Sequence, residues 1–206
     1  MEFLSSSNPV NYSEAIAFME DRVEKIHKNK AEELIWFLEH PPLYTAGTSA
    51  KPEDILNPEF PVFQTGRGGQ YTYHGNGQLI AYCLYNLKRR QEIFDLRAYI
   101  EGLERWIINS LQQIDVKGKT SDVGVGIWVD TDGGLKKIAA IGVRVRHGIT
   151  YHGISLNINP NLSHYSAIIP CGIKEFGVTS LEELGFDITR SDMELILRQS
   201  ALAQIF

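Results

Sequence analysis

Ile16, Met19, Val23 and Ile26 recur at intervals of three or four residues, so one side of that segment lies against a core as a helix. Asn11 stands ahead of it as a candidate N-cap, with Glu14 three residues on. The unbroken apolar run Glu33-Leu34-Ile35-Trp36-Phe37-Leu38, stopped by His40-Pro41-Pro42, predicts a buried strand. Tyr71 to His74 and Leu79 to Leu87 predict two strands joined as a hairpin by Gly75-Asn76-Gly77, because Asn-Gly tolerates the positive φ of hairpin turns. A second helix is expected from about Asp95 to Ile114, with Leu96, Ile100, Leu103, Ile107 and Leu111 on one side. Strands follow at Val125–Val129, Lys137–Arg146 and Ile149–Ile158, and Ser191-Asp192-Met193-Glu194 reads as a capping box opening a C-terminal helix. Strands that come in consecutive runs favour an α+β fold, a mixed or antiparallel sheet with flanking helices, over a doubly wound parallel sheet. No repeat, low-complexity tract or linker divides the chain, so residues 1–206 are expected to form one domain.

Composition narrows the function classes. The chain is 43% hydrophobic and 22% charged, ordinary for a globular protein. A net charge of −5 argues against a nucleic-acid binder. The N-terminus has no basic start followed by an apolar run, and no stretch approaches the length needed to span a bilayer. With only Cys83 and Cys171, a secreted disulfide framework is out of reach, and the cytoplasm is the expected compartment.

Cys171 is the residue with the most chemical promise. It sits in Ile169-Pro170-Cys171-Gly172, where proline fixes one dihedral and glycine opens others. Buried cysteines commonly just fill space, and Cys83, inside Ile80-Ala81-Tyr82-Cys83-Leu84, is read that way. Lys137 begins an apolar strand; in a pocket its amine could take the thiol proton, and Cys–Lys would make a coherent acyl-transfer unit. A Cys–His nucleophile pair using His74 or His152 stays open, although no cysteine-protease motif surrounds Cys171. A zinc site from His40, His74, His152 and Cys171 is disfavoured by the lack of any close ligand spacing. Arg67-Gly68-Gly69 matches no phosphate-binding loop.

Taken in order, His40-Pro41-Pro42-Leu43-Tyr44-Thr45-Ala46-Gly47, Arg67 to Gln78, Lys137 to Gly142, His152-Gly153, Asn157 and Pro170-Cys171-Gly172 resemble the lipoyl(octanoyl) transferase family. The resemblance runs from about Tyr12 to the C-terminal helix. It implies the fold of the biotin and lipoate protein ligases. It also implies transfer of an octanoyl group from acyl carrier protein to a lysine of lipoyl domains, those of the 2-oxoacid dehydrogenase complexes and the glycine cleavage H protein. Cys171 would be the thioester nucleophile and Lys137, which directly precedes Ile-Ala-Ala-Ile-Gly, its partner. Arg67, Gly68, Gly69, Gln70, Tyr71, Thr72, Tyr73, His74, Ala140, Ile141, Gly142, His152, Gly153 and Ile154 would bind substrate. No cofactor, metal, nucleic acid or membrane is expected to take part, and a monomer is expected. One departure is Asn76, where the family usually has proline. Lys88, Arg89, Arg90, Arg144 and Arg146 are candidate docking charges. The competing readings are an ATP-dependent lipoate or biotin ligase, a cysteine hydrolase and a non-catalytic lipoyl-domain binder.

Overall fold

In the computed structural model, which describes residues 1–90, 95–169 and 176–204, two sheets of unequal size face each other. The larger has seven strands in the order β1-β2-β6-β9-β8-β10, with β7 also paired to β8. These are β1 (Glu2–Ser5), β2 (Leu34–Leu38), β6 (Gln78–Leu84), β7 (Ile127–Thr131), β8 (Gly134–Arg146), β9 (Ile149–Asn157) and β10 (Gly177–Val178). The smaller sheet runs β4-β3-β5, from β3 (Leu43–Ala46), β4 (Val62–Gln64) and β5 (Tyr71–His74). Parallel and antiparallel pairs mix in both sheets, the expected α+β arrangement.

Helices cover both faces of the large sheet. On one face, α1 (Tyr12–His27) buries Ala15, Met19, Val23 and Ile26 against Trp36, Ile80, Tyr82 and Leu84. On the other, α3 (Leu96–Gln112) and α4 (Arg190–Gln204) bury Leu103, Trp106, Ile107, Met193 and Leu197 against Ile35, Phe37, Ala81 and Ile138. Every residue of β2 is therefore buried, which explains an apolar run without alternation. The Trp106 indole nitrogen donates to the Leu197 carbonyl at 2.9 Å and pins α4 to α3.

Several sequence expectations shift. Asn11 holds the N-cap position of α1, but its side chain donates to Glu14 (3.5 Å) instead of accepting a backbone N–H. Asp95 caps α3 by accepting from the Ala98 amide at 3.0 Å. The box that opens α4 is Thr189 with Asp192, not Ser191 with Glu194: the Thr189 hydroxyl donates to the Asp192 carboxylate (2.6 Å) and accepts from its amide (3.1 Å). The strand expected at Leu79 to Leu87 is β6, ending at Leu84, and Leu87 opens the short helix α2 (Leu87–Arg90). Lys137 lies inside β8, not at its start, because pairing with β7 extends the strand back to Gly134.

The expected hairpin is the main correction. Gly75 to Gln78 does turn, the Gln78 amide donating to the Gly75 carbonyl at 3.3 Å. Yet β5 pairs with β3 and β6 with β2 and β9, so the turn passes the chain from one sheet to the other. Gly77 has φ +86° while Asn76 is not among the positive-φ residues, the pattern of a type II turn. That turn accepts proline at the position Asn76 occupies.

Candidate active site

The two sheets leave a groove between the α1-side face of β6, β9 and β8 and the inner face of the small sheet, of about 550 Å³ with its open mouth. Two glycines clear its floor. Gly142 pairs with Gly153, and Gly153 with Tyr82. A Cβ on Gly153 would stand 2.2 Å from the Ala81 carbonyl oxygen, and one on Gly142 would stand 2.9 Å from Cδ of Arg67. Backbone and the Arg67 loop can close over the floor only because both positions lack side chains.

A β-bulge decides which way Lys137 points. Ile127 pairs with Ala139 but Trp128 pairs with Lys137, so β8 carries one extra residue, Ile138, opposite β7. Ile138 and Ala139 consequently both enter the core shared with α3 and α4. Lys137 takes the other face, which Ala140 and Gly142 share. Simple alternation from Gly142 would have turned Lys137 into the oily core. As placed, Lys137 is 5% exposed, its Nζ donates to the Val125 carbonyl at 2.9 Å and sits 4.6 Å from the Trp128 ring centroid. Gly126, at φ +125°, makes room: a Cβ there would meet the Ala139 carbonyl oxygen at 2.6 Å and Lys137 Nζ at 3.4 Å.

Arg67 builds one wall. It is buried, and its guanidinium donates to the Thr45 carbonyl and hydroxyl (2.9 and 2.7 Å), to the Gly68 carbonyl (2.9 Å) and to the Gln70 carbonyl (2.9 Å). These bonds stitch the 67–70 loop to β3 and hold it over the groove. The Gly68 amide donates to the Val143 carbonyl at 3.0 Å and ties the same loop to the end of β8.

Three buried histidines are each kept neutral, His74 and His152 in the groove lining and His40 with its ring centroid 6.1 Å from that of His74. Burial lowers His40 to about 4, with the Val10 carbonyl pulling weakly the other way. The neutral ring has one arrangement: Nδ1 donates to Val10 (2.5 Å) and Nε2 accepts from the Tyr82 hydroxyl (2.7 Å). His152 is lowered to about 3 by burial first, then by Arg67, Arg144 and His40. It holds φ +61°, an unfavourable backbone for a non-glycine residue, with its ring stacked on Tyr151 at 5.1 Å. His74 is lowered well below its ordinary value by burial, His40 and Arg67. Its Nδ1 meets Gln78 Oε1 at 3.2 Å. Gln78 Nε2 in turn donates to the Tyr73 carbonyl (3.2 Å) and Asn157 Oδ1 (2.9 Å), which leaves Oε1 as acceptor and makes His74 Nδ1 the donor. Asn157 Nδ2 donates to the Thr179 carbonyl (2.9 Å), and the Thr179 amide to the Lys137 carbonyl (2.9 Å). His74 is thus oriented by a chain of bonds that ends on the backbone of Lys137.

The structure brings Arg67, Gly69, Gln70, Tyr71, Thr72, His74, Ala140, Ile141, Gly142, His152, Gly153 and Ile154 to the groove lining. Gly68 and Tyr73 lie off it; the Tyr73 ring packs with Tyr44 and Tyr165, and its hydroxyl meets His164 Nδ1 at 2.8 Å. Tyr12, Ile80, Tyr82, Val125 and Ser155 also line the groove and were not singled out from sequence. Period-2 reading from Gly153 to Ser155 could have found the last, but Tyr12 is invisible until α1 is docked. Cys171, Pro170 and Gly172 lie outside the described residues. Cys83 is packing: it is fully buried, and burial pushes its thiol up. Of the docking charges, Arg146 pairs with Glu24 at 2.8 Å and Arg89 bonds the Asn29 side chain. Arg144 lies over the Tyr151 ring at 5.5 Å beside Gly66, and the Lys88 stem packs on Gly148. Among the described residues, no three His, Cys, Asp or Glu side chains gather as a metal site, and no helix is long and apolar enough to cross a membrane.

Residues 11–201 match the family model of the lipoyl protein ligase A/B catalytic domain. The chain is 56% identical over 199 residues to an octanoyltransferase of Paramagnetospirillum magneticum, covering 96% of this chain and 93% of the relative. It is 50% identical over 198 residues to that of Wolbachia pipientis, covering 96% of each. Among solved structures, a bipartite lipoate protein ligase from Thermoplasma acidophilum superimposes with a TM-score of 0.76 at 13% identity, over 99% of this chain and 83% of that one. A biotin protein ligase from Aquifex aeolicus gives 0.57 at 14% identity, over 100% and 68%. These distant likenesses carry the fold alone. The close relatives carry more: this chain is an acyltransferase that belongs to the octanoyltransferases of the lipoyl protein ligase A/B catalytic-domain family.

Proposed function

We propose that this chain moves an octanoyl group from the thioester of an acyl carrier protein, through Cys171, to a lysine of a lipoyl domain. The acceptors are the lipoyl domains of 2-oxoacid dehydrogenase complexes and the glycine cleavage H protein. The observation that carries this reading is the bulge at Ile138. It turns Lys137 onto the groove-side face of β8, its amine held by the Val125 carbonyl, itself of a groove-lining residue, and by the Trp128 ring.

In the first half-reaction Lys137 takes the thiol proton and the Cys171 sulfur attacks the thioester carbonyl. A new carbon–sulfur bond forms, and the carrier thiol leaves with a proton. In the second, the acceptor lysine amine attacks the acyl-enzyme, an amide forms, and the Cys171 sulfur departs, with Lys137 handling the proton. The incoming thioester is already activated, so neither ATP nor a metal has a task. Arg67, Gly69, Gln70, Tyr71, Thr72, His74, Ala140 to Gly142 and His152 to Ile154 bind the acyl chain and its thioester, with Gly68 and Tyr73 holding the loop and strand that carry them. Neutral His74 and His152 add no charge of their own to the groove walls against an apolar chain. The enzyme works in the cytoplasm, where thiols are kept reduced. Residues 1–206 act as one domain and as a monomer, the family match over residues 11–201 supporting the single domain.

The test is to mix the protein with octanoyl-carrier protein, with and without ATP, and weigh it intact. Wild type gains one octanoyl group without ATP; Cys171→Ser gains none that hydroxylamine removes, and Lys137→Ala gains it at least about a hundredfold more slowly. Adding a lipoyl domain discharges the adduct to the domain and not to water. An adduct that requires ATP overturns the reading.

A further inference from the structure

The Tyr12 hydroxyl is a feature of the groove that acyl transfer leaves without a task. Tyr12 is the first residue of α1 and lines the groove, yet it is only 5% exposed. Its oxygen is buried and has no hydrogen-bond partner among the described residues. The ring is fixed edge-on to His40 at 5.3 Å and against Phe63 at 5.0 Å. The neighbouring Tyr82 hydroxyl differs, being spent on His40. A buried hydroxyl with nothing to bond to costs stability, so a groove built only for hydrocarbon would have a phenylalanine here.

Its position along the groove gives the orphan oxygen a use. Lys137 marks the reacting end. Tyr82, which packs with His40 beside Tyr12, lies across the sheet from Gly153 and Gly142. Gly142 is five residues beyond Lys137 on β8, about 15 Å of strand after allowing for the bulge. An eight-carbon chain reaches about 9 Å from C–C bonds of about 1.5 Å, and its bond to sulfur adds about 2 Å. An octanoyl chain therefore ends short of Gly142, and each further methylene brings the methyl end nearer to Tyr12.

We propose that Tyr12 sets the upper limit of acyl-chain length, its hydroxyl holding a water molecule that an octanoyl chain leaves in place and a longer chain must expel. Expelling that water strands a buried donor against a methylene, a penalty that rises only once the chain passes the eighth carbon. This inference rests on the octanoyl-transfer reading.

The experiment measures kcat/KM for acyl-enzyme formation with octanoyl, decanoyl and dodecanoyl pantetheine thioesters. Tyr12→Phe raises the dodecanoyl-to-octanoyl ratio about tenfold, since no donor is left to be stranded when the longer chain enters. Tyr151→Phe is the control. Its hydroxyl is equally buried and partnerless among the described residues but does not line the groove, and the ratio stays put. A Tyr12→Phe ratio within twofold of wild type overturns the proposal, as does an equal loss for all three chains, which would place Tyr12 on the thioester. A wild type that gains no acyl group from any thioester sinks the transferase reading instead.

Discussion

Acid should unfold this protein early, and the three buried histidines give the size of the effect. In the folded state burial lowers His40 to about 4 and His152 to about 3, against about 6.5 in the unfolded chain. A group whose folded value is depressed below its unfolded one, and which charges on protonation, favours the unfolded chain as pH falls. The full stability is present above about pH 6.5 and is lost progressively from there toward pH 4 and, for His152, pH 3. At pH 5 each of the two has cost roughly 2 kcal/mol by proton linkage, about 4 kcal/mol together. His74 adds in the same direction. Against a typical total of about 5–15 kcal/mol, that removes between about a quarter and four-fifths of the stability by pH 5. Urea titrations at pH 8, 6.5, 5.5 and 5, followed by fluorescence of the buried Trp36, Trp106 and Trp128, measure it. His40→Gln should lower the slope of stability against pH by about 1.4 kcal/mol per unit in the lower part of the window. Equal unfolding free energies at pH 7.5 and pH 5 would refute the reasoning, since three neutral buried imidazoles could not then be what the fold contains.

Three further outcomes follow from particular contacts. Thr189→Ala should cost about 1 kcal/mol in urea melts while Ser191→Ala stays near zero, because Thr189 caps α4. Gly153→Ala, whose methyl would stand 2.2 Å from a backbone oxygen, should destabilise by about 3 kcal/mol or more and yield little soluble protein; wild-type levels would contradict the close approach of β9 to β6. Asn76→Pro should be neutral or stabilise by about 0.5–1 kcal/mol, as the type II turn already has the backbone proline prefers; a loss above 1 kcal/mol would disprove that turn type.

Much of the scaffold is written plainly in the sequence, for physical reasons. The spacing of Met19, Val23 and Ile26, and of Leu103, Ile107 and Leu111, survives in folded helices because each helix covers one face of a sheet. The all-apolar run of β2 announces burial on both sides. The partner of a strand is another matter. Gly75-Asn76-Gly77 correctly marks a turn, but local turn chemistry is blind to whether the chain returns to the same sheet. β3 and β4 are short and borrow their order from long-range pairing. For the site, motif segments converge on one groove, whereas Tyr12 and Tyr82 look like ordinary core residues until α1 is laid on the sheet. The Thr189 cap lost out in the sequence to Ser191, an equally good capping side chain two positions later.

The extra residue in β8 has a consequence for how the chain can change. In a strand, facing is a matter of odd and even, and Ile138 is where the count is reset. Substitution at any single site leaves that parity intact; a one-residue gain or loss between Lys137 and Ala140 inverts it. The oily side chains toward α3 and the cationic one toward the groove would then exchange places. Length within this short stretch is accordingly a stricter requirement than identity, and the position of Lys137 is fixed by counting as much as by chemistry.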